Sequence, residues 1–273
     1  MLFRSKNTNL NIKNAVCYCT FKNFESFNFI KHGFSTRLGG VSDGDCRSLN
    51  FCFSKNDTKQ NVSENYRRFA EALDINEKKI IKSYQMHTDN IAVVKNNHQN
   101  FKSEIKQGID GLLTNKRNIT LLTFHADCAP IFFVDPLKRA VGVAHSGWEG
   151  TAKEIASKMI AKFRKEFSSN EEDLFCAIGP SIGQCCYEID DFVYNKFRTK
   201  KYISKFCFKK SKDKNKFMFS LKIANQKILE NAGVKPSNIL VSDLCTKCCS
   251  DLFFSHRKSG NKRGVMAAAI CLK

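Results

Sequence analysis

A mixed α/β domain is what this chain encodes, on three grounds. Apolar stripes of helical period alternate along it with short apolar runs of strand length. Hydrophobic residues make up 42% of the 273, enough to fill a sizeable core. No internal repeat, low-complexity linker or proline-rich hinge divides it.

In chain order, Val62, Tyr66, Phe69 and Leu73 recur at steps of four, three and four, one face of a helix. Residues 119–124 (ITLLTF), 131–134 (IFFV) and 140–144 (AVGVA) read as strands, with Asp135-Pro136 marking the turn between the last two. Ile155, Met159, Phe163 and Phe167 form a second helical stripe, and Leu221, Ala224, Ile228 and Ala232 a third. Gly233 stops the third helix and Pro236 follows it. Residues 239–241 and 265–270 are further strands. These stripes are core faces and carry no chemistry.

Composition narrows the function. Lys and Arg number 45 against 26 Asp and Glu, a net charge of +19, which attracts anionic partners. Much of the excess lies in 200–216 (KKYISKFCFKKSKDKNK), read as one basic surface segment. No zinc-finger spacing or RNA-recognition signature accompanies it, so nucleic acid is the lesser reading. The start, MLFRSKNTNLNIKN, has no signal-like apolar run, and no stretch is long and apolar enough to span a membrane. A soluble cytoplasmic protein, monomer or homodimer, is expected. An odd count of thirteen cysteines then argues against a disulfide framework.

Three segments end strands in residues that bind metals: Gln85-Met86-His87, Ala126-Asp127-Cys128 and Ala144-His145-Ser146-Gly147-Trp148. A hairpin joining the 119–124 and 140–144 strands would bring Cys128 and His145 to one end of a sheet. Imidazole and thiolate suit zinc, and three protein ligands leave a tetrahedral position for water or substrate. Asp127 is placed to orient a ligand or act as a base. His125 is a rival ligand. Cys128 as nucleophile, with His145 or His87 as base, is the other use of the same residues. Cys185-Cys186 with Cys245 and Cys248-Cys249 reads by default as buried thiols; a structural four-cysteine site is the alternative. The sequence has no H-E-x-x-H, G-x-S-x-G, P-loop or dinucleotide fingerprint.

A longer set of segments, all in one order, carries a resemblance. It runs from His32-Gly33-Phe34-Ser35-Thr36-Arg37-Leu38-Gly39-Gly40 through Ser48-Leu49-Asn50, Gln85-Met86-His87 and Asp110-Gly111-Leu112-Leu113-Thr114. It continues through Ala126-Asp127-Cys128-Ala129-Pro130, His145-Ser146-Gly147-Trp148 and Ile178-Gly179-Pro180-Ser181-Ile182-Gly183 with Cys186-Tyr187-Glu188. It closes with Cys245-Thr246, Phe254-Ser255-His256-Arg257 and Arg263-Gly264-Val265-Met266. Together these resemble the YfiH-type family, also called the multicopper polyphenol oxidase or laccase-domain family.

The resemblance implies a four-layer α/β/β/α sandwich shared with cysteine hydrolases. Residues 1–30 are then an N-terminal extension with the first strands, and 31–273 the catalytic domain. It implies a metal held by His87, Cys128 and His145, zinc or alternatively copper. The implied activity is purine nucleoside phosphorolysis of adenosine and inosine, with nucleoside and phosphate as partners. Adenosine deaminase and methylthioadenosine phosphorylase activities, and amide hydrolysis in a peptidoglycan precursor, are implied for the same site. Cys128, His87, His145 and Asp127 are the expected catalytic residues. Arg37, in the loop Thr36-Arg37-Leu38-Gly39-Gly40, with Asn50 and Gln85, is expected to bind substrate or phosphate; Arg257, Lys258 and Arg263 are further cations. Two positions depart from the family: Glu149, where arginine is usual, opposes an anion there, and His256 stands where tyrosine is common. Six histidines are too few for multicopper chemistry. A basic nucleic-acid-binding protein with a structural metal is the non-enzymatic alternative.

Overall fold

A computed structural model describes residues 5–95 and 107–273. Two six-stranded sheets lie face to face. The first contains β1 (Thr8–Lys13), β2 (Val16–Phe21), β3 (Ile30–Ser35), β4 (Ile80–Lys82), β7 (Thr120–His125) and β15 (Met266–Leu272), in the order β1-β2-β3-β15-β7-β4. The second contains β5 (Ile91–Val93), β6 (Gly111–Thr114), β8 (Ala129–Asp135), β9 (Ala140–Ser146), β10 (Phe175–Ile178) and β14 (Ile239–Val241), in the order β14-β10-β8-β9-β6-β5. A small third sheet joins β11 (Glu188–Asp190), β12 (Phe208–Lys210) and β13 (Lys216–Phe219). The helices are α1 (Lys59–Leu73), α2 (Trp148–Ala152), α3 (Ile155–Phe167), α4 (Asp191–Asn195), α5 (Lys201–Cys207), α6 (Leu221–Asn231) and α7 (His256–Ser259).

The period of two along each strand sorts side chains into layers. In β15, Ala267 and Ala269 meet Val62, Tyr66 and Phe69 of α1, whereas Ala268 and Ile270 face the other sheet. In β8, Phe132 and Val134 fill the space between the sheets, and Ile131 and Phe133 pack against α3 and α6. The layers therefore run α1, first sheet, second sheet, then α3 with α6, the sandwich that the resemblance implied.

All three helical stripes are helices. Thr58 caps α1 by accepting from Asn61 N, and Ser220 caps α6 by accepting from Ile223 N. Two expectations are corrected. The 200–216 segment is not simply a solvated basic surface: it folds as α5, β12 and the first residue of β13, and it buries Ile203 and Cys207. Strand β7 pairs with β15 and β4 in the first sheet, not with the β8–β9 hairpin. Residues 126–128 thus cross from one sheet to the other. Among the described residues no helix is long and apolar enough to cross a membrane.

Candidate active site

The site forms where the two sheets open at one end. The β8–β9 hairpin sets Pro130 opposite His145 and Ala129 opposite Ser146, so Cys128 lies beside the end of β9. Asp135 makes that hairpin turn by accepting from the backbone N–H of Leu137 and Lys138. His87 reaches the same point on a loop held by one carboxylate. Asp110, fully buried, accepts from the successive backbone N–H groups of Met86 (3.0 Å), His87 (3.2 Å) and Thr88 (2.9 Å). That loop holds His87 at φ +57, a conformation costing a non-glycine residue of order 1–3 kcal/mol. The three N–H bonds to Asp110 offset the cost.

Asp110 also fixes the second histidine. His145 Nδ1–H donates to Asp110 Oδ1 at 2.8 Å, which leaves Nε2 free to meet Cys128. Cys128 Sγ lies 3.8 Å from His87 Nε2, and the His87 and His145 rings meet edge to face at 4.9 Å. One ligand atom from each of the three residues falls within 4.8 Å of the others. His125 is not a ligand, because both its nitrogens are used: Nδ1–H donates to the Cys128 carbonyl and Nε2 accepts from Thr123.

The electrostatics follow from these contacts. Burial acts to raise the Cys128 thiol, but the His145 charge and the bonds from both histidines outweigh it and draw the thiol down. For His145 burial acts the other way, and Cys128 and Asp110 overcome it and push the imidazole up. Burial opposes the Asp110 charge too, yet the His145 bond and the backbone N–H groups hold it below the ordinary carboxylate range. Burial, with the His145 charge, pushes His125 well down, so it stays neutral. The Cys128–His145 pair is thus drawn toward thiolate and imidazolium, with the buried Asp110 carboxylate bonded directly to the imidazole.

Two nitrogens and one sulfur suit a borderline-soft cation. Zinc bonds of about 2.0–2.1 Å to nitrogen and about 2.3 Å to sulfur bring such donors to within a few ångströms of one another, as here. Gly147 leaves room for them: a Cβ there would lie 2.9 Å from His87 Cδ2 and 3.0 Å from Cys128 Sγ.

A cleft of about 520 Å³ opens beside Cys128 and His87, and its walls include Trp148, Tyr187, Arg257 and Arg263. Arg257 Nη1 donates to the Glu188 carbonyl, and its guanidinium lies 5.1 Å over the Tyr187 ring. Arg263 has a buried Nε–H with no acceptor among the described residues. Glu149 lines the cleft, but Lys153 pairs with it at 3.3 Å and also donates to the His87 carbonyl. The position is thus not the bare negative charge expected from sequence. His256 sits on the same wall, with Arg263 Nη2 at 3.5 Å.

Four predicted residues are placed differently. Asp127 lines the cleft at φ +92, but its carboxylate accepts from Thr246 (2.6 Å), Ser255 (3.1 Å) and the Arg257 backbone (2.6 Å). It fixes the loops around Cys128, and the orienting role expected of it belongs to Asp110. Arg37 does not line the cleft. Its guanidinium donates to the carbonyls of Arg47 and Ser250 and borders a separate cavity with Asp43 and Asp251. Asn50 is fully buried and bonded to Cys52, Asp57 and the backbone N–H of Val265, where it anchors the chain just past Arg263. Gln85 pairs its amide with the backbone N–H and carbonyl of Phe124, docking the His87 loop on β7.

Asp110 and Tyr187 went unassigned in the sequence. Tyr187 stood within Cys-Tyr-Glu as one aromatic among many. The signal for Asp110 was a carboxylate directly before the apolar strand Gly111–Thr114, but its partners lie 22 to 35 residues away.

Known proteins match along nearly the whole length. Purine nucleoside phosphorylase YlmD of Bacillus subtilis is 33% identical over 246 residues, 88% of each chain. Its counterpart in Geobacillus stearothermophilus is 37% identical over 243 residues, 87% of this chain and 88% of that protein. The crystal structure of the Bacillus licheniformis hypothetical protein YfiH superposes with a TM-score of 0.88 at 33% identity, covering 97% of this chain and 99% of that one. The profile described as multi-copper polyphenol oxidoreductase laccase matches residues 31–273, and the chain belongs to that family.

Proposed function

We propose that this protein is a zinc-dependent purine nucleoside phosphorylase acting on adenosine and inosine. One observation carries the reading: the His87–Cys128–His145 centre opens on a cleft that also presents two guanidinium groups and a half-buried phenol. The phosphorylase names of the Bacillus and Geobacillus relatives support it.

In phosphorolysis a phosphate oxygen bonds to C1′ of the ribose as the C1′–N9 bond breaks. The electron pair leaves with the purine, which takes up a proton. Arg257 and Arg263 bind the phosphate, and the unpaired Arg263 Nε–H is the donor waiting for an oxygen. Trp148 and Tyr187 flank the base. Burial pushes the Tyr187 phenol up, so it keeps its proton and serves as a hydrogen-bond donor to the leaving purine. His87, Cys128 and His145 would hold zinc, which when bound supplies a Lewis acid and an acidified water. Copper suits the same donors, but a multicopper cluster does not. His32 is half-buried against Phe21 and Phe24 and accepts from the Phe21 backbone N–H, and His125 is fully hydrogen-bonded.

The test is a panel of adenosine, inosine and methylthioadenosine, each with and without phosphate, on protein of measured zinc content. Base release that requires phosphate is the expected result. Arg263→Gln should raise KM for phosphate about tenfold or more, the value of one charged hydrogen bond, with a smaller change in KM for nucleoside. Base release at the same rate without phosphate would contradict the reading.

A further inference from the structure

Away from the three ligands of the cleft, a second group of soft donors converges. Cys185 and Cys186 lie on the turn before β11, and Cys245 and Cys248 on the loop after β14, about sixty residues later. The default expectation of buried thiols is corrected here, because Cys185 and Cys248 are exposed. One sulfur from each of the four lies within 4.8 Å of all the others.

The backbone builds this meeting. Adjacent residues on a regular strand would point their thiols to opposite sides. Here the N–H groups of Cys186 and Tyr187 both donate to the Gly183 carbonyl and curl the chain. Both thiols then face Cys248, at 3.6 Å from Cys185 and 3.4 Å from Cys186. Cys245-Thr246-Lys247-Cys248 supplies the other half with C-x-x-C spacing. The Gly183 N–H donates to Cys245 Sγ at 3.1 Å, and a second N–H comes from Cys248. Such N–H···S bonds stabilise a sulfur that carries negative charge. A Cβ on Gly183 would lie 3.0 Å from Cys185 Sγ, so only glycine fits there without displacing the sulfur.

We propose that Cys185, Cys186, Cys245 and Cys248 bind a zinc ion as a structural tetrathiolate centre that staples the loop walling the cleft at Ile182 and Tyr187 to the loop after β14. In a tetrahedral zinc tetrathiolate with bonds of about 2.3 Å, neighbouring sulfurs sit about 3.8 Å apart, close to the separations seen. Four thiolates around a divalent ion leave excess negative charge. Lys222 meets it from the protein side: it is buried, donates to the Leu244 carbonyl at 2.7 Å, and feels the charge of Cys245 and Cys185.

The staple acts on the site through bonds already in place. Thr246, next to Cys245, donates to Asp127, which neighbours Cys128. Tyr187, next to Cys186, lines the cleft. The Ile182 N–H donates to the Asp127 carbonyl, and Ser181 bridges to Cys245. Loss of the ion would free both loops at once. This centre stands or falls independently of the reaction proposed for the cleft.

The test uses the full chain carrying Cys128→Ala, purified under reducing conditions, which removes a ligand of the cleft centre and leaves the cysteine cluster whole. It should retain about one zinc per chain, against about two in the parent. Cobalt exchanged into it should show thiolate-to-metal charge transfer with tetrahedral ligand-field bands. Adding Cys185→Ser and Cys248→Ser should abolish metal and bands and lower Tm. If those serine variants fail to fold, the cobalt spectrum of the Cys128→Ala chain decides alone. A metal-free Cys128→Ala chain, iron in place of zinc, or a disulfide from Cys248 to Cys185 or Cys186 in the reduced protein would each overturn the proposal.

Discussion

Asp110 organises the site more than His87, Cys128 or His145 does. It accepts from three successive backbone N–H groups of the His87 loop and from His145, so one carboxylate positions two histidines on separate elements. Asp110→Asn loses the charge that holds the imidazolium and orients the ring. Metal affinity should fall about 10- to 100-fold, measured by competition with a chromogenic chelator. The Cys128 thiol reports the same network. In the metal-free parent it is drawn down to about 6, so alkylation should accelerate as pH rises through that value. In Asp110→Asn the supporting imidazolium weakens, so the midpoint should move up, toward that of an ordinary thiol. Bound metal should protect the sulfur at every pH tested. Legibility at this scale was uneven. His87, Cys128 and His145 were singled out as imidazole and thiolate groups in three polar segments beside apolar strands, and the fold brings their side chains together. Asp110 was not, because nothing in a carboxylate before a strand says which distant loop it will hold. Arg37 was misleading: a guanidinium in a glycine-rich loop looks like an anion cradle, and here it bonds to backbone carbonyls.

Among elements, the β8–β9 hairpin was legible throughout. Its strands are apolar on both faces because helices cover one and a sheet the other, and Asp135-Pro136 marks the turn. Its neighbour β7 has the same apolar composition and was assigned to the same hairpin, yet it belongs to the other sheet. Composition cannot distinguish a strand that continues a sheet from one that faces it. The small sheet of β11, β12 and β13 was hidden by lysines flanking its phenylalanines, and Phe208 and Phe219 stack at 4.7 Å beneath them. At the start of α2, Gly147 is required by its neighbours rather than by its φ, which is ordinary. Gly147→Ala should push His87 and Cys128 apart, lowering zinc content and turnover while the circular dichroism spectrum stays unchanged. Loss of the folded spectrum would show that Gly147 serves packing instead.

For the molecule as a whole, the layered sandwich explains why a site built from residues 87, 110, 128 and 145 holds its geometry. Cys128 and His145 sit at one end of the β8–β9 hairpin, Asp110 holds the His87 loop beside them, and the sheets are locked by a phenylalanine-rich core between them. Phe132 lies at its centre, 4.9 Å from the Phe21 ring and fully buried. Phe132→Ala should cost about 3–5 kcal/mol of stability in denaturant unfolding, since the rigid sheets cannot close the cavity. The net charge of +19 lies outside the cleft, whose lining sets Arg257 and Arg263 against Asp127, Glu149, Glu188 and Asp190. In the proposed reaction phosphate is the attacking reagent, in a cleft governed by Cys128 and its two histidines. Phosphorus NMR of inosine turnover follows that attack, on the parent and on Cys128→Ala with zinc measured in each. Ribose 1-phosphate should appear in step with hypoxanthine in the parent and vanish in the variant. Free ribose in its place, or undiminished ribose 1-phosphate from Cys128→Ala, would contradict it.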